Sequence, residues 1–112
     1  MKEDSFRDFV MDQLARAGHI ECRAMFGGYG LYHSGSFFGI IFKGRLYFKV
    51  SEESRSQYTQ AGMKPFRPNK KMTLKSFYEV PEDVLESRDR ITEWTEAAIR
   101  AGKAKITKKA FL

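Results

Sequence analysis

The sequence predicts an α+β domain in which helices pack on an antiparallel sheet, and three observations lead there. Apolar residues recur at helical spacing near both ends of the chain, in residues 6–17 and 91–98. Between them, from Ile20 to Val50, short aromatic and β-branched runs alternate with glycine-containing breaks, the pattern of strands joined by tight turns. The 112 residues are 42% hydrophobic and 14% aromatic, which excludes wholesale disorder. A single domain of this length buries roughly two thirds of its unfolded surface, enough for a core without disulfide or metal staples.

The elements follow in order. Asp4 or Ser5 is placed to cap a first helix whose one face carries Phe6, Phe9, Val10, Leu14 and Ala17, with Gly18 to stop it. Gly27-Gly28, Ser34-Gly35-Ser36 and Lys43-Gly44 divide the next thirty residues into a meander of three or four strands. Ser51, followed by Glu52 and Glu53, starts a second helix ending at Gly62, since a serine cap and early acids both favour a helix N-terminus. Met63 to Lys75 contains Pro65, Pro68 and Asn69 and reads mostly as loop or extended chain. Ser76 to Val80 reads as a further strand, and Pro81 with Glu82 and Asp83 opens a short helix. The last helix aligns Ile91, Trp94, Thr95 and Ala98 and ends near Gly102. The expected organisation is one domain over residues 1–102 and a basic tail over residues 103–112.

The Lys43-Gly44 turn allows a sharper expectation. With a two-residue turn, Phe42 lies opposite Arg45, Ile40 opposite Tyr47 and Phe38 opposite Lys49, all on one face. The other face then carries Phe37, Gly39, Ile41, Leu46, Phe48 and Val50, apolar throughout and the natural side for helices. The first face is a candidate partner surface, because aromatics beside Arg and Lys stack bases or dock proteins. The competing expectation is that a second layer covers Phe38, Ile40 and Phe42 and leaves Arg45 and Lys49 at the rim.

Charge is distributed unevenly. There are 20 Lys+Arg against 14 Asp+Glu, a net +6, and no acid at all lies in residues 54–78 or 100–112. The acids collect in residues 79–99 between these blocks. Lys64, Arg67, Lys70, Lys71 and Lys75, interleaved with Pro65, Phe66 and Pro68, form a candidate nucleic-acid site in which cations contact phosphates without reading bases. Lys103, Lys105, Lys108 and Lys109 extend that footprint if the tail folds back on the same side. A solvated loop that keeps the protein soluble is the plainer reading of the same residues.

Recognisable catalytic constellations are missing from the sequence. His19 and His33 have no acid spaced to orient them, and Cys22, the single cysteine, has no partner that sequence proximity alone supplies. There is no HExxH, no CxxC and no thiolate cluster. Gly27-Gly28-Tyr29-Gly30 is too short for a dinucleotide fingerprint, and the Gly39 to Gly44 spacing lacks the Lys and hydroxyl of a phosphate loop. No cofactor is expected. The N-terminus shows no export signal and the longest largely apolar run, Phe37 to Phe42, is too short for a bilayer, so a soluble cytoplasmic location with no membrane contact is expected.

Several runs together resemble the N-terminal domain of the TfoX/Sxy family. They are Arg23-Ala24-Met25-Phe26-Gly27-Gly28-Tyr29-Gly30-Leu31-Tyr32, Gly44-Arg45-Leu46-Tyr47-Phe48-Lys49-Val50, Gly62 with Pro65-Phe66 and Met72, Ser76-Phe77-Tyr78-Glu79-Val80-Pro81, and Trp94 with the alanines after it. The resemblance runs through nearly the whole chain in order. It implies a secretion-chaperone-like order of helix, three strands, helix, two strands and helix, here as a stand-alone N-terminal domain. It also implies a regulatory association, since full-length members act in natural competence and promote transcription together with a cyclic-AMP-responsive activator. They carry a second, helical C-terminal domain. No catalytic residue carries over. The expectation is therefore a non-enzymatic, protein-binding regulatory module whose partner is a transcription activator complex. Direct nonspecific nucleic-acid binding by the 64–75 segment and the tail is the alternative, and a homodimer through the Phe38/Ile40/Phe42 face is a further arrangement.

Overall fold

A computed structural model describes the backbone of residues 2–25 and 27–111 and the side chains of residues 4–25 and 27–103. Helix α1 (Lys2–Gln13) passes through a short 3-10 turn (Ala15–Ala17) into strands β1 (Glu21–Met25), β2 (Gly28–His33), β3 (Ser36–Phe42) and β4 (Arg45–Lys49). Helix α2 (Glu52–Gln60), strands β5 (Pro65–Asn69) and β6 (Met72–Glu79), and helices α3 (Glu82–Leu85) and α4 (Arg88–Phe111) complete the chain. The strands form a six-stranded sheet in the order β1-β2-β3-β4-β6-β5, antiparallel at every pairing. The α+β class is as expected, with one strand more before α2 than the family-type order and a short extra helix before α4.

Local chemistry accounts for most boundaries. Ser51 caps α2 and exchanges hydrogen bonds with Ser54 in a capping box, satisfying two orphan donors at the helix start. Ser34-Gly35 and Lys43-Gly44 both take positive φ at both positions, the geometry of two-residue hairpin turns. Asp4 and Ser5 lie inside α1, which begins at Lys2. Asp4 is not a cap; its carboxylate accepts from the Tyr29 hydroxyl at 2.6 Å and so ties the helix to β2. Helix α4 does not stop near Gly102 but runs on through the backbone of residues 103–111; Gly102 is there for space against β3 and not as a stop, since a Cβ would come within 3.0 Å of the Phe37 carbonyl oxygen.

One sheet face packs against the helices. Val10 of α1, Leu14 just after it, Tyr58 of α2, Val84 and Leu85 of α3 and Ile91, Ala98 and Ile99 of α4 close over Leu31, Phe38, Ile41, Leu46 and Phe48. Each fully buried side chain of this kind contributes about 1.5–3 kcal/mol through removal from water. A buried polar link joins the helices: Gln13 Nε2 donates to the Leu85 carbonyl at 2.8 Å, satisfying an end-of-helix acceptor.

Two features depart from the expected sheet. The first is a bulge. Leu31 pairs with Gly39 but Tyr32 pairs with Phe37, so Phe38 is an extra residue that inverts the alternation. Phe38 turns into the helix-side core at 0% exposure, and Phe37 takes its place on the other face. The expected pairings Phe42 with Arg45 and Ile40 with Tyr47 hold, but Phe38 does not share their face. The second is residues 63–75, expected as mostly loop or extended chain, whose extended parts are paired strands: they hold β5, its turn and the start of β6. Their prolines are tolerated because β5 is an edge strand, paired with β6 on one side and, among the described residues, with no strand on the other.

Candidate functional site

The sheet face away from the helices is built almost wholly from strand side chains. Ile40, Phe66 and Phe77 are buried there, with Phe37, Phe42, Tyr47 and Leu74 partly buried around them. The β5–β6 pairing slips between Pro65, which faces Tyr78, and Phe66, which faces Leu74. Such irregularities bend a hairpin, and here Phe66 reaches back to Tyr47 and Phe42, with ring centroids 4.6 and 5.4 Å away. The covering layer expected over Ile40 and Phe42 is therefore the sheet's own terminal hairpin.

Beside this small core runs a row of rings. Tyr32 lies 5.2 Å from Phe37, and Phe37 lies 5.1 Å from Phe77, measured between centroids. Cations stand at both ends: the Arg23 guanidinium is 4.6 Å from the Tyr32 ring centre and Lys49 Nζ is 5.0 Å from that of Phe77. Glycine makes the row possible. A Cβ on Gly30 would sit 2.7 Å from Met25 Sδ and about as close to the Tyr32 and Phe37 rings, at 3.1 and 3.2 Å. Arg45 is exposed and bonds Glu79 Oε2 at 2.8 Å, and that hydrogen bond raises the guanidinium pKa further above its ordinary value. Burial pushes the Tyr47 phenol up, so it remains a neutral hydroxyl at physiological pH.

Of the expected partner residues, Ile40, Phe42, Arg45, Tyr47 and Lys49 are brought together on this face, and Phe38 is not. Sequence reasoning missed Tyr32, Phe37, Phe66 and Phe77. Phe77 has Tyr78 beside it in β6 and Phe66 is flanked by prolines, so neither carried a local signal for this face.

The basic segment is a hairpin and not an open loop. Lys64, Arg67, Lys70, Lys71 and Lys75 are all exposed. Arg67 turns inward on its own turn, donating to the Lys70 carbonyl at 2.8 Å and the Asn69 carbonyl at 3.4 Å. The Asn69 side chain accepts from the Lys71 amide at 2.8 Å. Arg67 thus braces the turn that presents Lys70 and Lys71. Lys103 is exposed, and the side chains of Lys105, Lys108 and Lys109 lie outside the described residues.

Cys22 and the histidines do not converge on a nucleophile–base pair. Cys22 is half-buried against the helix-side core, where desolvation raises its thiol pKa and disfavours the reactive thiolate. His19 is exposed, and His33 is half-buried at the end of β2 with its Nδ1 unpartnered. Among the described residues no hydrogen bond joins Cys22 to either histidine, and no group of three or more His, Cys, Asp or Glu is arranged to hold a metal ion. No helix among them is long and apolar enough to cross a membrane.

Comparison with known proteins adds a family. A family profile described as "TfoX N-terminal domain" matches residues 12–102. The chain is also similar to the "DNA transformation protein TfoX1" of Aliivibrio fischeri (strain ATCC 700601 / ES114), with 30% identity over 82 residues. That match covers 71% of this chain and 37% of the relative, so the chain spans little more than a third of that protein's length.

Proposed function

We propose, from the premise that the chain belongs to the TfoX N-terminal domain family, that it is a non-enzymatic regulatory module acting in DNA transformation by binding a protein partner. The observation that carries this reading is the helix-free sheet face. Phe37, Phe42 and Tyr47 remain partly exposed there beside Arg45, with Lys49 at the rim, and aromatics with arginine are the residues enriched at docking surfaces. The regulatory context comes from the relative named for DNA transformation, and a transcription activator complex is the partner class it favours. Capture from nuclease-treated lysate by the wild type, set against Phe42→Glu and Lys49→Glu, tests it. A protein retained by the wild type and lost with both folded variants is expected, and equal retention by all three proteins would remove this face from the reading.

A second reading rests on a different observation. Lys64, Lys70, Lys71 and Lys75 project from one braced hairpin, and among the described residues none of them is in an ion pair. This arrangement favours phosphate contacts without base recognition. Affinity for a generic duplex is then expected to fall steeply between about 50 and 200 mM salt, and Lys70→Glu with Lys71→Glu should flatten the dependence. No binding at the lower salt would exclude it.

A further inference from the structure

The two edges of the sheet are treated differently. On β5, Pro65 and Pro68 remove amide donors, a common way of blunting an edge against other chains. Strand β1 has no such protection. Among the described residues it pairs only with β2; it contains no proline or lysine, and its residues Glu21, Arg23 and Ala24 are exposed.

We propose that β1 is a self-recognition edge, pairing antiparallel with β1 of a second copy of this chain about a two-fold axis at Cys22. The argument is charge complementarity along the strand. Glu21 and Arg23 lie on one face, 3.0 Å apart, with 47% and 63% of their side chains exposed in the order Arg23 63%, Glu21 47%. With Cys22 on the axis, Glu21 of each copy faces Arg23 of the other, so both ion pairs form between chains. An axis at Arg23 sets arginine against arginine, and an axis at Glu21 sets glutamate against glutamate. On the helix side the same register places Ile20 opposite the exposed Ala24 of the second copy, an apolar pairing. Cross-strand partners have Cα atoms about 4.5–5.5 Å apart whichever hydrogen-bonding phase the pair adopts. The Cys22 thiols therefore meet at a spacing that a disulfide spans. A two-fold axis normal to the sheet keeps all helices on one side and leaves both aromatic faces and both basic hairpins free.

The test is sedimentation of the 112-residue chain over a concentration series, with amide hydrogen exchange to locate the contact. A dimer is expected at the highest concentrations, with added protection in residues 20–25. Glu21→Arg or Arg23→Glu alone should weaken it about tenfold or more, because two attractive pairs become repulsive by symmetry, and the double exchange should restore it. In oxidised glutathione the dimer should become covalent: two Cys22 thiols lose two protons and two electrons to form one disulfide, and the glutathione disulfide is reduced to two thiols. A monomer at every concentration overturns the proposal. So does a dimer protected elsewhere, one indifferent to the charge exchanges, or one that forms no Cys22 disulfide.

Discussion

Phe66 and Tyr47 pack with ring centroids 4.6 Å apart, although one belongs to the edge strand β5 and the other to β4, with β6 between them in the sheet. Two strands so separated touch because the terminal hairpin bends over the helix-free face. Phe66 is consequently at 0% exposure, as buried as any residue of the main core.

Truncation at this contact should be costly. Phe66→Ala is expected to lose about 3–5 kcal/mol, the range for a large buried aromatic, measured by urea denaturation. Lys70→Glu, on the same hairpin but exposed, should change stability by less than about 0.5 kcal/mol. Similar midpoints for the two variants would show that the hairpin does not cover the face.

The bulge makes neighbouring phenylalanines unequal. Phe38→Glu puts a charge at a site of 0% exposure without a partner and should abolish cooperative unfolding. Phe37→Glu, on the half-exposed face, should remain folded at room temperature with a lower melting temperature. A folded Phe38→Glu protein, seen by near-UV circular dichroism, would reverse the assignment.

Gly28 is needed for space and not for a special dihedral. A Cβ there would lie 2.2 Å from the Ile41 carbonyl oxygen, which is backbone and cannot swing aside. Gly35 has nothing within 4 Å of the same construction and takes φ +81°, so alanine there costs only the left-handed conformation, about 1–2 kcal/mol. Thermal melts of Gly28→Ala and Gly35→Ala should rank the first as clearly more damaging.

Cys22 supplies a pH dependence. Burial raises its folded pKa, with the nearby Arg7 charge opposing part of the effect. The neutral thiol is thus favoured by folding, and its stabilising contribution is complete below the unfolded value near 8.5 and lost as pH rises through the folded pKa. Iodoacetamide should modify the native thiol more slowly than the urea-unfolded one at pH 8, and Cys22→Ala should flatten the decline in melting temperature above pH 9. Equal alkylation rates would contradict the burial.

Much of the architecture was legible because it is written in local chemistry. Ser51, the glycine turns at residues 35 and 44 and the helical spacing of Val10, Leu14, Ile91 and Ala98 act over a few residues, and each led to the observed element. The Lys43-Gly44 turn even predicted the pairing of Ile40 with Tyr47. The candidate face was only partly legible. In Phe37-Phe38 both residues are equally suited to a core, so nothing local says which turns toward the helices.

By itself the sequence determined the fold class, the helix-facing core apart from the Phe37-Phe38 choice, and the family resemblance, since periodicity and turn chemistry are short-range properties. It also determined where the cations lie along the chain. Only the tertiary structure decided that Phe38 belongs to the core, that residues 65–79 form a hairpin folded over Ile40, and that Arg67 braces a turn. Those outcomes depend on which distant side chains compete for the same buried volume and on where a sheet ends. The pairing of Phe66 with Tyr47 is such an outcome, set by a register slip and a bend that no stretch of neighbouring residues encodes.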